Sequence, residues 1–208
     1  MDNRNKISPY RWVVLGAFML ITVIIEIQWL THAPVARAAE VFYEGQFNPD
    51  SIINIDFLSM IYMLVFLIVC IPASYIIDTK GIRIGLGIGS VLTAVFSLLK
   101  GFGGANFTLV LISQCGLAVA QPFILNAVTA VSVRWFPLSE RGTAAGLAAL
   151  AQYLGIIIVM AITPLLVVSS PELPGYGSGV KRMLIIYGII SAAGSVLALI
   201  LIKERPAR

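Results

Sequence analysis

One acidic residue, Glu26, interrupts the first long apolar segment of the chain. A charged carboxylate facing lipid there is costly, so Glu26 should face a cavity or a partner, or carry a proton. Thr22, Glu26 and Trp29 follow one another at four- and three-residue steps, which places them on one helical face. An ammonium ion gains about 0.5–2 kcal/mol over an indole ring. The pattern therefore predicts a site for a small organic cation, in which Glu26 neutralises the solute or carries a coupled proton. The alternative is a protonated packing residue.

Two amides in a later apolar run could complete such a site. Gln114 and Gln121 are seven residues apart and share a face of one helix. Pro122 can free a backbone carbonyl at the same depth. We predict that Gln114 and Gln121 bind the solute together with Glu26, Trp29 and Thr22. The alternative is that the amides make hydrogen bonds between helices.

The chain offers little for enzyme chemistry. Its single histidine, His32, and its cysteines, Cys70 and Cys115, lie in different segments, so no catalytic dyad or metal cluster is expected. A Ser–Lys pair is disfavoured because every lysine is predicted to lie at a membrane edge. We therefore predict no enzyme activity, no metal and no cofactor.

The composition requires a bilayer around these residues. Apolar residues make up 59% of the chain and charged residues 12%, with a mean hydropathy of +0.94. Since about 20 helical residues cross the hydrocarbon core, the apolar runs predict an all-α membrane protein with one six-helix bundle over residues 1–208. Asn106 is predicted to cap the fourth helix. The predicted spans are about 9–34, 55–77, 82–100, 106–135, 139–169 and 182–203.

Basic residues predict the orientation of the bundle. With a cytoplasmic N-terminus, ten Lys and Arg residues lie inside and four, Arg37, Lys100, Lys181 and Arg182, lie outside. This bias places both termini in the cytoplasm of a cell (inner) membrane. The net charge of +4 is explained by these membrane-edge residues and needs no nucleic-acid partner.

Two further patterns concern the ends and contacts of the helices. Residues 32–56 are predicted to lie outside, beginning as a continuation of the first helix that is bent near Pro34. Gly142 and Gly146, with Ala145 and Ala149, place small residues at four-residue spacing, which predicts close contact with another helix.

A short charged turn, Asp78 to Arg83, joins the second and third apolar runs. With Ser74, it follows most of the G-x-x-x-D-[RK]-x-G-[RK]-[RK] signature of the major facilitator superfamily of transporters, with Ser74 replacing a glycine. The segments Arg134 to Pro137 and Glu140 to Gly146 resemble that superfamily's link between helices four and five. Two matches at the correct spacing support each other.

The resemblance implies a gate at this end of the bundle. Asp78, Gly81 and Arg83 would be gating elements, with Asp78 meeting the N-terminus of a helix in an opposite bundle. If two copies of the chain pair face to face, Glu140 occupies that place and repels Asp78 unless Arg83 or Arg141 lies between them. The alternative is a solvated loop with ordinary positive-inside charges.

Four segments are similar to the feline leukaemia virus subgroup C receptor family: Arg11 to Val14, Gln28-Trp29, Asp56 to Met63 and Val119 to Leu125. Members of that family are facilitators associated with choline, ethanolamine and haem transport. They have twelve spans, so the chain matches their first half. The resemblance places Trp29 and Gln121 where such transporters hold an aromatic ring and an amide around the substrate.

The resemblance implies a fold of two inverted three-helix repeats, one half of a major facilitator fold. We therefore expect a transporter, or half of one, that moves a small organic solute by alternating access, with an amine such as choline as the solute. It requires a second six-helix bundle. The chain is then an isolated half of a longer transporter, a half that forms a homodimer with a second copy, or a half that pairs with a separate C-terminal half. The alternative is a non-transporting membrane scaffold or interaction subunit.

Overall fold

The computed structural model describes residues 8–48 and 50–204, and every regular element in this part of the chain is helical. Six segments are long and apolar enough to cross a membrane, with α1–α2 and α5–α6 each counted as one. The prediction of an all-α membrane protein with six spanning segments is confirmed. The helices are α1 (Tyr10–Trp29), α2 (Ala36–Phe42), α3 (Phe57–Lys80), α4 (Ile82–Phe102), α5 (Phe107–Leu125), α6 (Ala127–Trp135), α7 (Arg141–Leu166) and α8 (Val180–Leu201).

Local sequence explains where the helices begin and bend. After α1 the chain passes through a 3-10 turn at Ala33–Val35, with Pro34 in its first turn, and continues into α2. The expected bend near Pro34 is therefore present. The Asn106 side chain accepts a hydrogen bond from the Leu109 backbone N–H at 3.1 Å, so the predicted cap of α5 is confirmed.

Helix α1 is central to the bundle and packs against α5, α7 and α8. Helix α4 lies between α5 and α8, and α3 packs mainly on α5. Helices α3 and α7 are the least buried spans. In the most apolar 18-residue stretch of each helix, 17% of α3 and 22% of α7 is buried. Both helices therefore expose many apolar residues.

Glycines allow two pairs of helices, α8 with α4 and α7 with α1, to approach backbone to backbone. A Cβ on Gly188 of α8 would lie 2.6 Å from the Ser97 carbonyl oxygen of α4. A Cβ on Gly155 of α7 would lie 2.7 Å from the Val23 carbonyl oxygen of α1. By contrast, a Cβ on Gly142 or Gly146 would meet no atom within 4 Å. The expected close contact at Gly142 and Gly146 is wrong within this chain, because both glycines lie on the exposed face of α7.

Lys100 lies in the last turn of α4, at the end of a span, yet it is buried. Its side chain is 1% exposed and turns into the bundle. The ammonium donates to the Gln28 carbonyl at 2.9 Å, to Gln28 Oε1 at 3.2 Å and to Thr31 Oγ1 at 3.1 Å. Burial is possible because the end of α1 supplies oxygen acceptors inside the protein.

Replacing Gly188 with alanine should destabilise the bundle. The methyl group would press on the Ser97 carbonyl, and overpacking of this kind costs about 1–3 kcal/mol, more than the roughly 1 kcal/mol that alanine gains over glycine in a helix. Gly146→Ala is the matched control, because it makes the same change where there is space. Thermal unfolding in detergent should show a lower Tm for Gly188→Ala and an unchanged or higher Tm for Gly146→Ala. Equal melting of the two variants would contradict this packing.

Candidate functional site

A cavity of about 410 Å³ lies among α1, α3, α5 and α7. It contains three of the residues that the sequence assigned to a solute site: Glu26, Trp29 and Gln121. Helix α1 supplies the first two, three residues apart, and α5 supplies the third. The cavity is otherwise lined by Tyr62, Met63, Phe66, Leu67, Leu125, Gln152, Tyr153 and Ile156.

Glu26 is buried against the cavity, with 2% of its surface exposed. Its Oε1 accepts a long hydrogen bond of 3.4 Å from Gln152 Nε2 of α7. Its Oε2 accepts no hydrogen bond from any described residue. The ion pairs within the described residues involve other acids, so no basic side chain there neutralises Glu26. The carboxyl group is therefore half-satisfied by the protein and faces the cavity.

Two aromatic rings stand beside the acid. The Trp29 indole donates from Nε1 to the Ser59 carbonyl of α3 at 2.9 Å, which fixes the plane of the ring. The Tyr62 ring lies 6.4 Å from it, centroid to centroid, at an interplanar angle of 34°. The Tyr62 hydroxyl is fully buried and has no hydrogen-bond partner in the described residues. Aromatic faces beside an acid form a surface that suits an organic cation.

Gln121 is 5% exposed, and its side-chain amide makes no hydrogen bond to a described residue. It lies in α5 directly before Pro122, on the face that meets the cavity. An amide offers both donors and an acceptor, so it can meet a polar group of a solute or an ordered water.

The other two residues assigned to the site lie outside this cavity. Thr22 donates to the Phe18 carbonyl within α1 and lines a smaller neighbouring cavity of about 60 Å³. Gln114 donates to the Leu58 carbonyl at 2.9 Å and to the Trp29 carbonyl at 3.2 Å. Gln114 thus ties α3 and α1 to α5, which is the interhelical hydrogen bonding considered as its alternative. The lone histidine, His32, is buried elsewhere.

Sequence reasoning missed Tyr62 and Gln152. Each carried a signal, because Gln152 is the one amide in the fifth apolar run and Tyr62 lies in a segment shared with the receptor family. Their helices are apolar on all sides, so hydrophobic periodicity could not show which face turns toward α1.

The turn between α3 and α4 is held by an acid that the sequence analysis did not select, Glu204. Its carboxylate pairs with the Arg134 guanidinium and accepts from the Arg83 backbone N–H at 2.9 Å. Gly81 has φ 100° and ψ 166°, a conformation open essentially to glycine alone. A Cβ there would also run into the Glu204 carboxylate. The signal for Glu204 was its position directly after the last span.

The remaining charges predicted to act in gating lie near this turn or at the start of α7. Asp78 is exposed and lines a second cavity of about 410 Å³ together with Arg134. Glu140 pairs with Arg11 at 3.1 Å. Its charge is thus neutralised by Arg11, and not by Arg83 or Arg141, the two residues considered from the sequence. Arg141 instead donates to the Phe136 and Val133 carbonyls, each at 3.2 Å, at the end of α6. The Arg83 side chain is exposed.

Comparison with known proteins identifies the family of this chain. A family model described as Major Facilitator Superfamily matches residues 9–208. The choline/ethanolamine transporter FLVCR1 of Felis catus is 31% identical over 98% of the chain, and FLVCR1 of Mus musculus is 32% identical over 79%. The choline/ethanolamine transporter FLVCR2 of Homo sapiens is 28% identical over 97%. The chain spans 36%, 29% and 38% of the lengths of these relatives, respectively.

The fold matches a solved structure of a transporter. A bacterial homologue of the human lysosomal transporter Spinster, in an inward-facing and unoccupied conformation, superimposes with a TM-score of 0.71 over 96% of this chain and 44% of its own, at 17% identity. These matches point to a transporter rather than an enzyme, and they confirm the resemblance to the feline leukaemia virus subgroup C receptor family. The chain belongs to the major facilitator superfamily of membrane transporters.

Proposed function

We propose that this chain forms one six-helix half of a facilitator that moves a small organic amine, such as choline, by alternating access. The observation that carries the proposal is the convergence of Glu26, Trp29 and Gln121 on one cavity. The relatives are named choline/ethanolamine transporters, which suggests the class of solute.

The cavity has the chemistry that an amine requires. Its volume of about 410 Å³ lies within the range of small-molecule sites. Trp29 and Tyr62 offer aromatic faces to a cation, and the Glu26 carboxylate offers a charge that no described basic residue neutralises. Gln121 can orient a polar group at the other end of the solute.

A second bundle would complete this site. Met63, Leu67 and Tyr153 line the cavity, yet 60%, 72% and 64% of their surfaces are exposed. These residues lie on α3 and α7, the two least buried spans. A six-helix partner against this side, either a second copy of the chain or a separate C-terminal half, would close the cavity and supply the bundle against which this one rocks.

The orientation and the gate follow from the charged end of the bundle. Arg11, Arg134, Arg141 and Lys203 gather at the end that carries the α3–α4 turn, which favours a cytoplasmic location for this end in a cell (inner) membrane. The proposed gate consists of Asp78, Gly81, Arg83, Glu140 and Arg141. Glu204 holds the turn in the described conformation through Arg134 and the Arg83 amide.

Removing the indole or the amide should weaken solute binding. Trp29→Ala loses a cation–π contribution of about 0.5–2 kcal/mol, equivalent to as much as roughly thirtyfold in Kd. Gln121→Ala removes the polar group at the opposite wall. Equilibrium binding of radiolabelled choline and ethanolamine to the chain assembled with its partner bundle, and their uptake into vesicles that contain this assembly, would measure both effects. Uptake should be abolished in both variants.

Trp12→Ala serves as the matched control, because Trp12 is an exposed tryptophan of the same helix outside the cavity. It should retain binding. Normal binding and uptake by both Trp29→Ala and Gln121→Ala would remove the site assignment. A strictly monomeric wild-type bundle that neither binds nor moves either solute would favour the scaffold alternative.

Gly81→Ala should slow transport more than it weakens binding. An L-residue in this conformation costs about 1–3 kcal/mol, which shifts an equilibrium between conformations by roughly 5–150-fold. Gly87→Ala, in α4, places a Cβ at an ordinary 3.5 Å from Leu199 and is the matched control. Vesicle uptake should fall several-fold in Gly81→Ala, with the Kd for the solute little changed. Equal uptake by Gly81→Ala and Gly87→Ala would show that the turn takes no part in gating.

A further inference from the structure

Two residues that line the cavity carry a buried hydrogen-bonding atom without a partner among the described residues: Glu26, through Oε2, and Tyr62, through its hydroxyl. Both side chains are at least nine-tenths buried, with exposures of 2% and 0%. We propose that Glu26 and Tyr62 make this cavity selective for amines that carry N–H donors, such as the primary ammonium of an amino alcohol, over quaternary ammonium ions. The inference rests on the proposed function and names the preferred substrate class of that same site.

The chemistry of the carboxylate favours such a ligand. An ionised carboxylate is an acceptor only, and a buried acceptor without a donor loses the hydrogen bonds that water would give it. A primary ammonium can place an N–H on Oε2 and form a charge-assisted hydrogen bond. A quaternary ammonium presents methyl groups, so it balances the charge but leaves the oxygen without a donor.

The two oxygens of Glu26 have different roles. Oε1 is already engaged by the Gln152 amide, which turns the carboxyl plane and leaves Oε2 for the solute. The Tyr62 hydroxyl can accept a second N–H or donate to a hydroxyl of the ligand. An ammonium with several N–H groups can meet both atoms, whereas one that is fully methylated can meet neither.

The aromatic walls do not favour N–H donors. Trp29 and Tyr62 attract a cation through the faces of their rings, and such faces suit quaternary ammonium ions in particular. Selectivity must therefore come from the atoms that form directional hydrogen bonds. Glu26 and the Tyr62 hydroxyl therefore determine which amine is preferred, whereas the rings can bind any of these cations.

Other buried cations do not compete for the acid. Lys100 donates to Gln28 and Thr31 at the far end of α1 and is not within ion-pair distance of Glu26. The ion pairs among the described residues are Arg11–Glu140, Arg37–Glu40 and Arg134–Glu204, and none of these residues lines the cavity. A cationic solute in the cavity can therefore bind Glu26 Oε2 without competition from a described basic side chain.

A graded series of ligands tests this directly. Ethanolamine, N-methylethanolamine, N,N-dimethylethanolamine and choline keep the same hydroxyl arm and carry three, two, one and no N–H donors. Equilibrium binding of each to the wild-type chain assembled with its partner bundle should weaken along the series, with ethanolamine at least about tenfold tighter than choline, the effect expected of one charge-assisted hydrogen bond. Glu26→Gln should bind the four amines with similar Kd values, and Tyr62→Phe should reduce the difference in Kd between ethanolamine and choline.

Glu40→Gln is the matched control, because it makes the same change at an acid paired with Arg37 outside the cavity. It should keep the wild-type order. Thermal unfolding would show that each variant is folded. Should Glu26→Gln fail to fold, Tyr62→Phe, which removes a single oxygen, still tests the order.

The outcomes separate this inference from the proposed function. If choline binds wild type as tightly as ethanolamine, or if the order survives in both Glu26→Gln and Tyr62→Phe, the inference is wrong while amine transport stands. A flat order in wild type would indicate a protonated Glu26, and this also overturns the inference. If none of the four amines binds, the proposed function fails and the inference fails with it.

Discussion

A carboxyl group inside an apolar bundle must find polar surroundings, and this constraint on Glu26 determines how α1 is placed. Glu26 turns toward α7, where Gln152 donates to one oxygen, and away from lipid. Close approach is possible because α7 has Gly155 at the crossing, where a Cβ would lie 2.8 Å from Glu26 Cβ. The acid, the amide and the glycine thus specify one packing of α1 on α7.

The end of α1 also carries polar groups that need hydrogen-bond partners inside the protein. The helix stops at Trp29, and its last carbonyls need donors that lipid cannot give. Lys100 and Gln114 supply these donors from α4 and α5. Trp29 is then held at both its backbone carbonyl and its indole N–H, the latter by the Ser59 carbonyl. The lysine buried at this end therefore helps to fix the ring that faces the cavity.

Much of the fold could be predicted from the sequence, because hydropathy over 20-residue windows depends on composition and not on packing. Glu26, Trp29 and Gln121 could also be selected from the sequence, since each is an unusual residue within an apolar run. Periodicity failed for Tyr62 and Gln152, whose helices are apolar on every side. Lys100 and Glu204 were missed for a different reason, because their partners lie in distant segments and no local pattern shows an acceptor.

The two ends of the bundle differ in what holds them. At the end where α1 finishes, Lys100, Gln28 and Gln114 are fully desolvated, and breaking their hydrogen bonds would leave buried polar groups without partners. At the other end, the side chains of the pairs Arg11–Glu140 and Arg134–Glu204 keep 15–35% of their surfaces exposed, so water reaches these side chains, although the contacting Arg11 Nε and Glu140 Oε2 atoms are buried. Solvent-exposed ion pairs are worth about 0–1 kcal/mol each. A rearrangement of the bundle therefore costs least at the end with the α3–α4 turn, because only there can solvent satisfy the groups that separate.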